Sequence, residues 1–161
     1  MINFFIINLS FFTFYLSPDL NKLRNLFPLI NKNESYAVAL LNSSNNIKTI
    51  SVPLNNAYKA AAQMALAKYK FNPISKLTEF NQAKIKLNDC VKKDSLNIEI
   101  RYIRLAIQEH VPAILNYSNN IDPDKKFIIQ NLHSLKQIDP TLFTIINNYL
   151  RLRGYFIGSK K

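Results

Sequence analysis

The tract from Leu77 to Ile107 constrains the fold of this chain more than any other feature, because its apolar residues recur with helical periodicity. In the first half they lie three to four positions apart, which places them on one face of a helix. They are Leu77, Phe80, Ala83, Leu87, Cys90 and Val91. The second half, Asn97 to Gln108, is apolar around almost its whole circumference. The tract therefore predicts two helices joined by a turn, the second covered by neighbours on several sides.

Good capping residues mark the predicted helix starts. Asn97 is a candidate N-cap of the second helix, and Glu99 falls in its first turn, where the helix dipole favours an acid. Elsewhere a capping residue directly precedes a proline, whose missing N–H costs nothing at the first helical position. The four pairs are Ser17-Pro18, Asn72-Pro73, Asp122-Pro123 and Asp139-Pro140. Each pair predicts the start of a helix.

Three further stretches show helical spacing of apolar residues: Asp19–Lys32, Asn33–Leu41 and Tyr58–Tyr69. The Ser/Asn-rich residues 42–46 predict a loop, and residues 47–52 a brief extended segment. The chain has only two glycines, which argues against a sandwich or barrel and against a glycine-rich phosphate loop. We therefore predict an all-α fold, an irregular antiparallel bundle of about seven helices.

A chain of 161 residues, 48% of them hydrophobic, is long enough to bury one hydrophobic core. We expect a single helical domain over residues 18–153 and a frayed basic tail over residues 154–161.

The central tract resembles a tetratricopeptide repeat. Ala83, Leu87, Cys90 and Ser95 fall at the offsets of Ala, Phe, Ala and Pro in the second helix of that repeat, with Ser95 in place of the proline. The resemblance implies stacked helix pairs and protein binding. It does not extend to the first helix of the repeat, because Pro73 interrupts there.

A wider resemblance spans Asp19 to about Leu150. Residues 19–24, 69–73 and 97–108 are similar to a group of uncharacterised exported helical proteins from Bacteroidetes-type bacteria. That group has no assigned activity, so this resemblance implies no functional residue.

Met1 to Leu16 carry no charge and are dominated by Phe, Ile and Leu. The segment resembles the apolar region of a signal peptide and is short of the roughly 20 residues of a membrane-spanning helix. We therefore expect residues 1–17 to be a signal peptide and the protein to be periplasmic or secreted. No basic residue precedes the segment, and no Ala-x-Ala-like site follows it. A membrane anchor and a buried N-terminal helix or strand remain alternatives.

The formal net charge of +11 raises the question of anionic partners. From Lys59 to Arg104, ten basic residues stand against four acidic ones. A solvated lysine-rich face is the favoured interpretation, because lysine is also enriched when a genome is AT-rich. The alternative is non-specific binding to an anionic polymer, either nucleic acid or lipid headgroups.

Few residues are candidates for catalysis or metal binding. Cys90 is the only cysteine and lies on the apolar helix face, so we expect a buried, inert thiol. His110 and His133 are far apart and lack the spaced partners that a metal site on a helix requires. Glu109-His110 is not part of a zinc-protease motif. We predict no catalytic residue, metal site or cofactor, and no enzymatic activity.

The sequence favours an exported binding or scaffold protein that recognises a peptide or protein partner in a groove between helix pairs. The candidate groove residues are Arg101, Arg104, Gln108, Tyr102 and Tyr69. Within the protein, Arg101 and Arg104 are expected to pair with carboxylates such as Glu99 or Asp94, or with carbonyls at a helix C-terminus. If the chain is exported, nucleic acid is not the expected partner, and Met1–Leu16 could mediate membrane association.

Overall fold

The computed structural model describes residues 18–155, and the predicted signal segment and residues 156–161 lie outside this part. The described residues contain seven α-helices and no strand, so the predicted all-α fold is confirmed. The helices are α1 (Pro18–Leu26), α2 (Glu34–Asn46), α3 (Val52–Ala67), α4 (Pro73–Lys93), α5 (Ile98–Gln108), α6 (Ile121–Ile138) and α7 (Pro140–Leu152). None of these seven is both long and apolar enough to cross a membrane.

Helix α5 is the centre of the packing. It contacts α3, α4 and α6, and every residue in it except Arg101 is buried. This confirms the expectation from its nearly uniform apolar circumference. Around it, α3 and α4 form a long antiparallel hairpin, α2 packs on α3, and α7 packs on α6. One apolar core extends through the described residues, and Tyr155 packs against it.

The first helix ends earlier than predicted, at Leu26 instead of Lys32, and a short 3-10 turn follows over Phe27–Leu29. Pro28 explains the difference, because it has no N–H to continue the α-helical ladder. Asn33 then caps α2 by accepting a hydrogen bond from the Tyr36 N–H at 3.4 Å.

The loop predicted over residues 42–46 is wrong, since α2 continues through Asn46. Ser43 and Ser44 are buried there, and the Ser44 hydroxyl donates to the Leu40 carbonyl at 2.8 Å. A serine that bonds back to the preceding turn can stay inside a helix. Burial against α3 therefore outweighs the preference of Ser and Asn for loops.

Two other boundaries differ. The predicted extended segment over residues 47–52 is wrong, because Val52 already begins α3 with Ser51 as N-cap. The predicted start at Asp122-Pro123 is also wrong, because α6 begins at Ile121 with Asn120 as the preceding residue. Pro123 fits inside this first turn, where the N–H groups have no partner within the helix.

Three other predicted caps are confirmed, whereas the predicted cap Ser17 lies outside the described residues. Asn72 accepts a hydrogen bond from the Ile74 N–H, Asn97 from the N–H groups of Glu99 and Ile100, and Asp139 from the Leu142 N–H. Cys90 is buried as expected. Its burial raises the pKa of the thiol.

A buried ion network links four helices through Arg24. Its guanidinium donates two hydrogen bonds of 2.7 Å to Glu99 of α5 and one of 2.7 Å to Asp139 at the start of α7. The Tyr58 hydroxyl of α3 also donates to Glu99, at 2.6 Å. Burial disfavours the charge of Arg24, but the hydrogen bonds and attraction of Glu99 and Asp139 raise its pKa above the usual value.

We expect the substitution Arg24→Met to lower the free energy of unfolding by about 3–5 kcal/mol, because it leaves buried carboxylates without their cation. Urea denaturation measures this loss. Lys92→Met is the control, since Lys92 pairs with Asp89 on the surface and its loss should change stability by at most about 1 kcal/mol. Equal losses in the two variants would contradict a structural role for the network.

The buried tyrosines predict a loss of stability at high pH. Burial raises the pKa of Tyr58, Tyr102 and Tyr117 above the usual value of about 10. Above about pH 10 the unfolded chain releases these phenolic protons while the native protein keeps them. The free energy of unfolding should therefore fall as pH rises, by about 1.4 kcal/mol per pH unit for each tyrosine.

Ultraviolet absorbance of tyrosinate, followed together with circular dichroism, checks this expectation. The last tyrosines should ionise only as the helices unfold. Complete ionisation of all tyrosines in a fully helical protein would contradict it.

Candidate functional site

An apolar groove of about 560 Å³ lies between the end of α3, the first half of α4 and the segment after α5. We call it the large compartment. Its apolar lining consists of Met64, Ala65, Ala67, Pro73, Leu77, Phe80, Ile107, Val111, Pro112, Ile114 and Leu115. A concave, mostly apolar cavity of this size is typical of a ligand site.

Two turns border the large compartment. Only five residues separate the end of α3 from Pro73, where α4 starts, so the turn between the two helices is short. Pro112 precedes a 3-10 turn over Ala113–Leu115, and Asn116 ends that turn in a left-handed conformation with φ of 45°. Residues of both turns, or next to them, line the compartment.

Exposed apolar side chains lie at the same end of the molecule. Ile114 is 91% exposed in the 3-10 turn, Leu77 is exposed on α4, and Phe71 and Ile74 are exposed at the α3–α4 turn. Large apolar residues clustered in this way commonly mark an interaction surface.

The charge in the large compartment is positive. Lys68 and Lys76 belong to its lining, whereas none of the described residues that line it is acidic. The Lys68 ammonium lies 4.8 Å from the centre of the Tyr69 ring and donates to the Asn31 carbonyl at 3.1 Å.

A small compartment of about 360 Å³ adjoins the first, and the two share Asn31, Ile107 and His110. Its other lining residues are Phe27, Pro28, Ile30, Tyr102, Ala106, Tyr149, Leu152 and Arg153. We call the two compartments together the groove.

His110 is held between the compartments by hydrogen bonds on both ring nitrogens. Nδ1 lies 2.7 Å from the Ala106 carbonyl oxygen, and Nε2 lies 2.6 Å from Nη2 of Arg153. This arrangement fits a neutral imidazole that donates from Nδ1 and accepts at Nε2. Arg153 also pairs with Glu109, at 3.0 Å between Nε and Oε2.

Glu109, at the edge of the groove, accepts hydrogen bonds from further donors. The hydroxyls of Tyr149 and Tyr155 both donate to its carboxylate. Burial, followed by the hydrogen bond to Glu109, raises the pKa of Tyr155 to about 12. The residues around His110 therefore hold one another in place.

The five predicted groove residues do not line one open face. Tyr102, Arg104 and Gln108 are only 4%, 7% and 2% exposed. Arg101 is half-buried, and Tyr69 is exposed at the end of α3. Tyr102 contributes to the small compartment, and the other four belong to the lining of neither compartment. A binding role stays a prediction for all five residues.

The two arginines pair with a carboxylate as expected, but that carboxylate is neither Glu99 nor Asp94. Arg101 Nε also donates to the Ser95 carbonyl, just beyond the end of α4, at 2.7 Å. Arg104 forms two hydrogen bonds to Asp124 of α6, at 2.6 and 2.8 Å, and Arg101 reaches the same carboxylate at 2.8 Å. Glu99 is instead engaged by Arg24, and Asp94 accepts a hydrogen bond from the Asn97 side chain. Sequence reasoning missed Asp124 because it becomes a neighbour of α5 only when α6 packs on that helix.

Sequence reasoning also missed the groove. Its apolar lining comes from segments that are far apart in the chain, so no local pattern defines it. The available signals were Phe71 and Ile114, large apolar residues close to prolines in turns. Within residues 18–155, no group of three or more His, Cys, Asp or Glu side chains is placed to hold a metal ion.

No protein-family model, curated protein or solved structure matches this chain significantly. The resemblances to tetratricopeptide repeats and to exported helical proteins therefore stay predictions, and function must be argued from the groove itself.

Proposed function

We propose that this chain is a helical binding protein whose groove takes an amphipathic helix from a partner protein. The observation that carries the proposal is the large compartment, an apolar cavity of about 560 Å³ flanked by exposed apolar side chains. An amphipathic helix fills such a groove with apolar residues from successive turns. The same contact would cover Leu77 and Ile114, which otherwise face water.

The charge of the large compartment restricts the partner. Lys68 and Lys76 contribute to a lining that contains no acidic residue. The partner helix should therefore carry acidic residues beside its apolar face. The net charge of +11 favours approach of the same kind of partner over longer distances.

Site-specific photocrosslinking in cells that produce the protein tests this proposal. A benzoylphenylalanine replaces Ile114 in the groove or, as a matched control, Ile138, which is exposed at the end of α6. We expect one discrete protein adduct from position 114 and none from position 138. Mass spectrometry should place the crosslink in an acidic amphipathic helix.

The substitution Leu77→Asp gives the second arm of the experiment. It should abolish the adduct at position 114, because it puts a charge on a surface that the partner must cover. It should change stability by no more than about 0.5 kcal/mol, since Leu77 is already exposed. Adducts that are unaffected by Leu77→Asp, or that also form at position 138, would overturn the proposal.

The proposal includes export, which depends only on the sequence of residues 1–17. The intact mass of the native protein from fractionated cells tests it. Export predicts a mass that lacks about the first 17 residues, in an envelope or external fraction. A full-length protein in the cytoplasm would contradict export and make nucleic acid an accessible partner.

A further inference from the structure

We infer that a second site, a trough between α3 and α4, binds a ligand with several adjacent phosphate groups. The trough has a volume of about 320 Å³ and shares no lining residue with the groove. It is lined by Val52, Pro53, Asn56, Lys59, Gln63, Lys86, Asp89, Cys90 and Lys93. This inference goes beyond the proposed partner helix and does not depend on it.

Three lysines enter the trough from both of its walls. Lys59 belongs to α3, and Lys86 and Lys93 belong to α4. The seven-residue interval between the last two corresponds to two helical turns, so they share one face of α4. The Lys86 ammonium reaches across to α3 and donates to the Gln63 side-chain oxygen at 3.2 Å.

The protein leaves this positive charge largely uncompensated. Asp89 is the one acidic residue in the lining, and it pairs with Lys92, which is not in the lining, at 3.3 Å. Lys59 is half-buried and has no ion pair with any residue between 18 and 155. Its ammonium is therefore free to meet an external anion in the trough.

The electrostatic preference of helix ends does not explain why three lysines line the trough. Lys93 lies in the last turn of α4, where a cation is favourable in any case, but Lys59 and Lys86 lie inside their helices. The N-terminus of α3 contributes little, because Pro53 has no N–H and the Ser51 hydroxyl accepts the N–H of Leu54 at 3.4 Å. The inference therefore depends on the lysines that face the trough.

Geometry favours several phosphates over one. Lys86 and Lys93 start about 10 Å apart along the axis of α4, and Lys59 lies on the opposite wall, so the positive charge is spread along the trough instead of gathered at one point. A chain of phosphates can meet successive ammonium groups. No aromatic side chain lines the trough, so the stacking platform typical of single-stranded nucleic-acid sites is missing. We therefore assign a free oligophosphate.

Isothermal titration calorimetry of the full chain with sodium tripolyphosphate tests the inference. We expect saturable binding to the native protein and much weaker binding of inorganic phosphate. The triple variant Lys59→Gln, Lys86→Gln and Lys93→Gln should bind tripolyphosphate at least about tenfold more weakly. The three substituted residues are exposed or half-buried, and circular dichroism verifies that the variant is folded.

A second triple variant is the matched control. Lys22→Gln, Lys126→Gln and Lys136→Gln remove the same charge from α1 and α6, which do not line the trough. This variant should bind tripolyphosphate with nearly native affinity. Equal weakening in the two triple variants would overturn the inference, because diffuse positive charge would then explain the binding.

Two further outcomes would also overturn it. One is equal affinity for inorganic phosphate and tripolyphosphate, which would remove the need for several phosphates. The other is tighter binding of a short oligothymidylate, which would identify nucleic acid as the ligand. Trough variants should leave the crosslink at position 114 intact, so the failure of one proposal is distinguishable from the failure of the other.

Discussion

Arg24 holds together elements that are far apart in the chain. Its guanidinium contacts Glu99 of α5 and Asp139 of α7, while Tyr58 of α3 supplies a further hydrogen bond to Glu99. Asp139 also caps the first turn of α7, so one carboxylate both starts that helix and orients it against α1. The position of α7, and with it the small compartment, depends on this contact.

Helix α5 carries ionised groups into the core and pairs them on two sides. Glu99 faces Arg24, whereas Arg101 and Arg104 share the carboxylate of Asp124 on α6. The close packing of the apolar side chains of α5 already resists its rotation or sliding among its neighbours. Buried ion pairs oppose such movements, because each displacement leaves a charge without a partner in a poorly solvated environment. The ion pairs therefore add to apolar packing in fixing the orientation of α5.

Local patterns predicted what depends on local physics. The uniform apolar surface of α5 indicated its burial, and side-chain capping by Asn72 and Asn97 follows from their own hydrogen-bonding chemistry. Tertiary contacts determined the features that the local patterns did not predict. Burial of Ser43 and Ser44 extended α2 beyond its predicted end, and Asp124 reached the arginines only through helix packing.

The candidate sites were harder to predict from sequence than the helices. A cavity is the space that several segments leave unfilled, and no single segment carries a pattern for it. The lysines illustrate this limit. Lys59, Lys86 and Lys93 look like a general excess of charge in the sequence, and only the pairing of α3 with α4 places them around one trough.

The α3–α4 hairpin has the large compartment at its connected end and the trough towards its open end. Two surfaces of opposite chemical character, one apolar and one ionic, are thus built on the same pair of helices, with no shared residues. A substitution in the lining of one surface therefore leaves the lining of the other unchanged. Such independence would let selection tune two recognition functions separately on a single small scaffold.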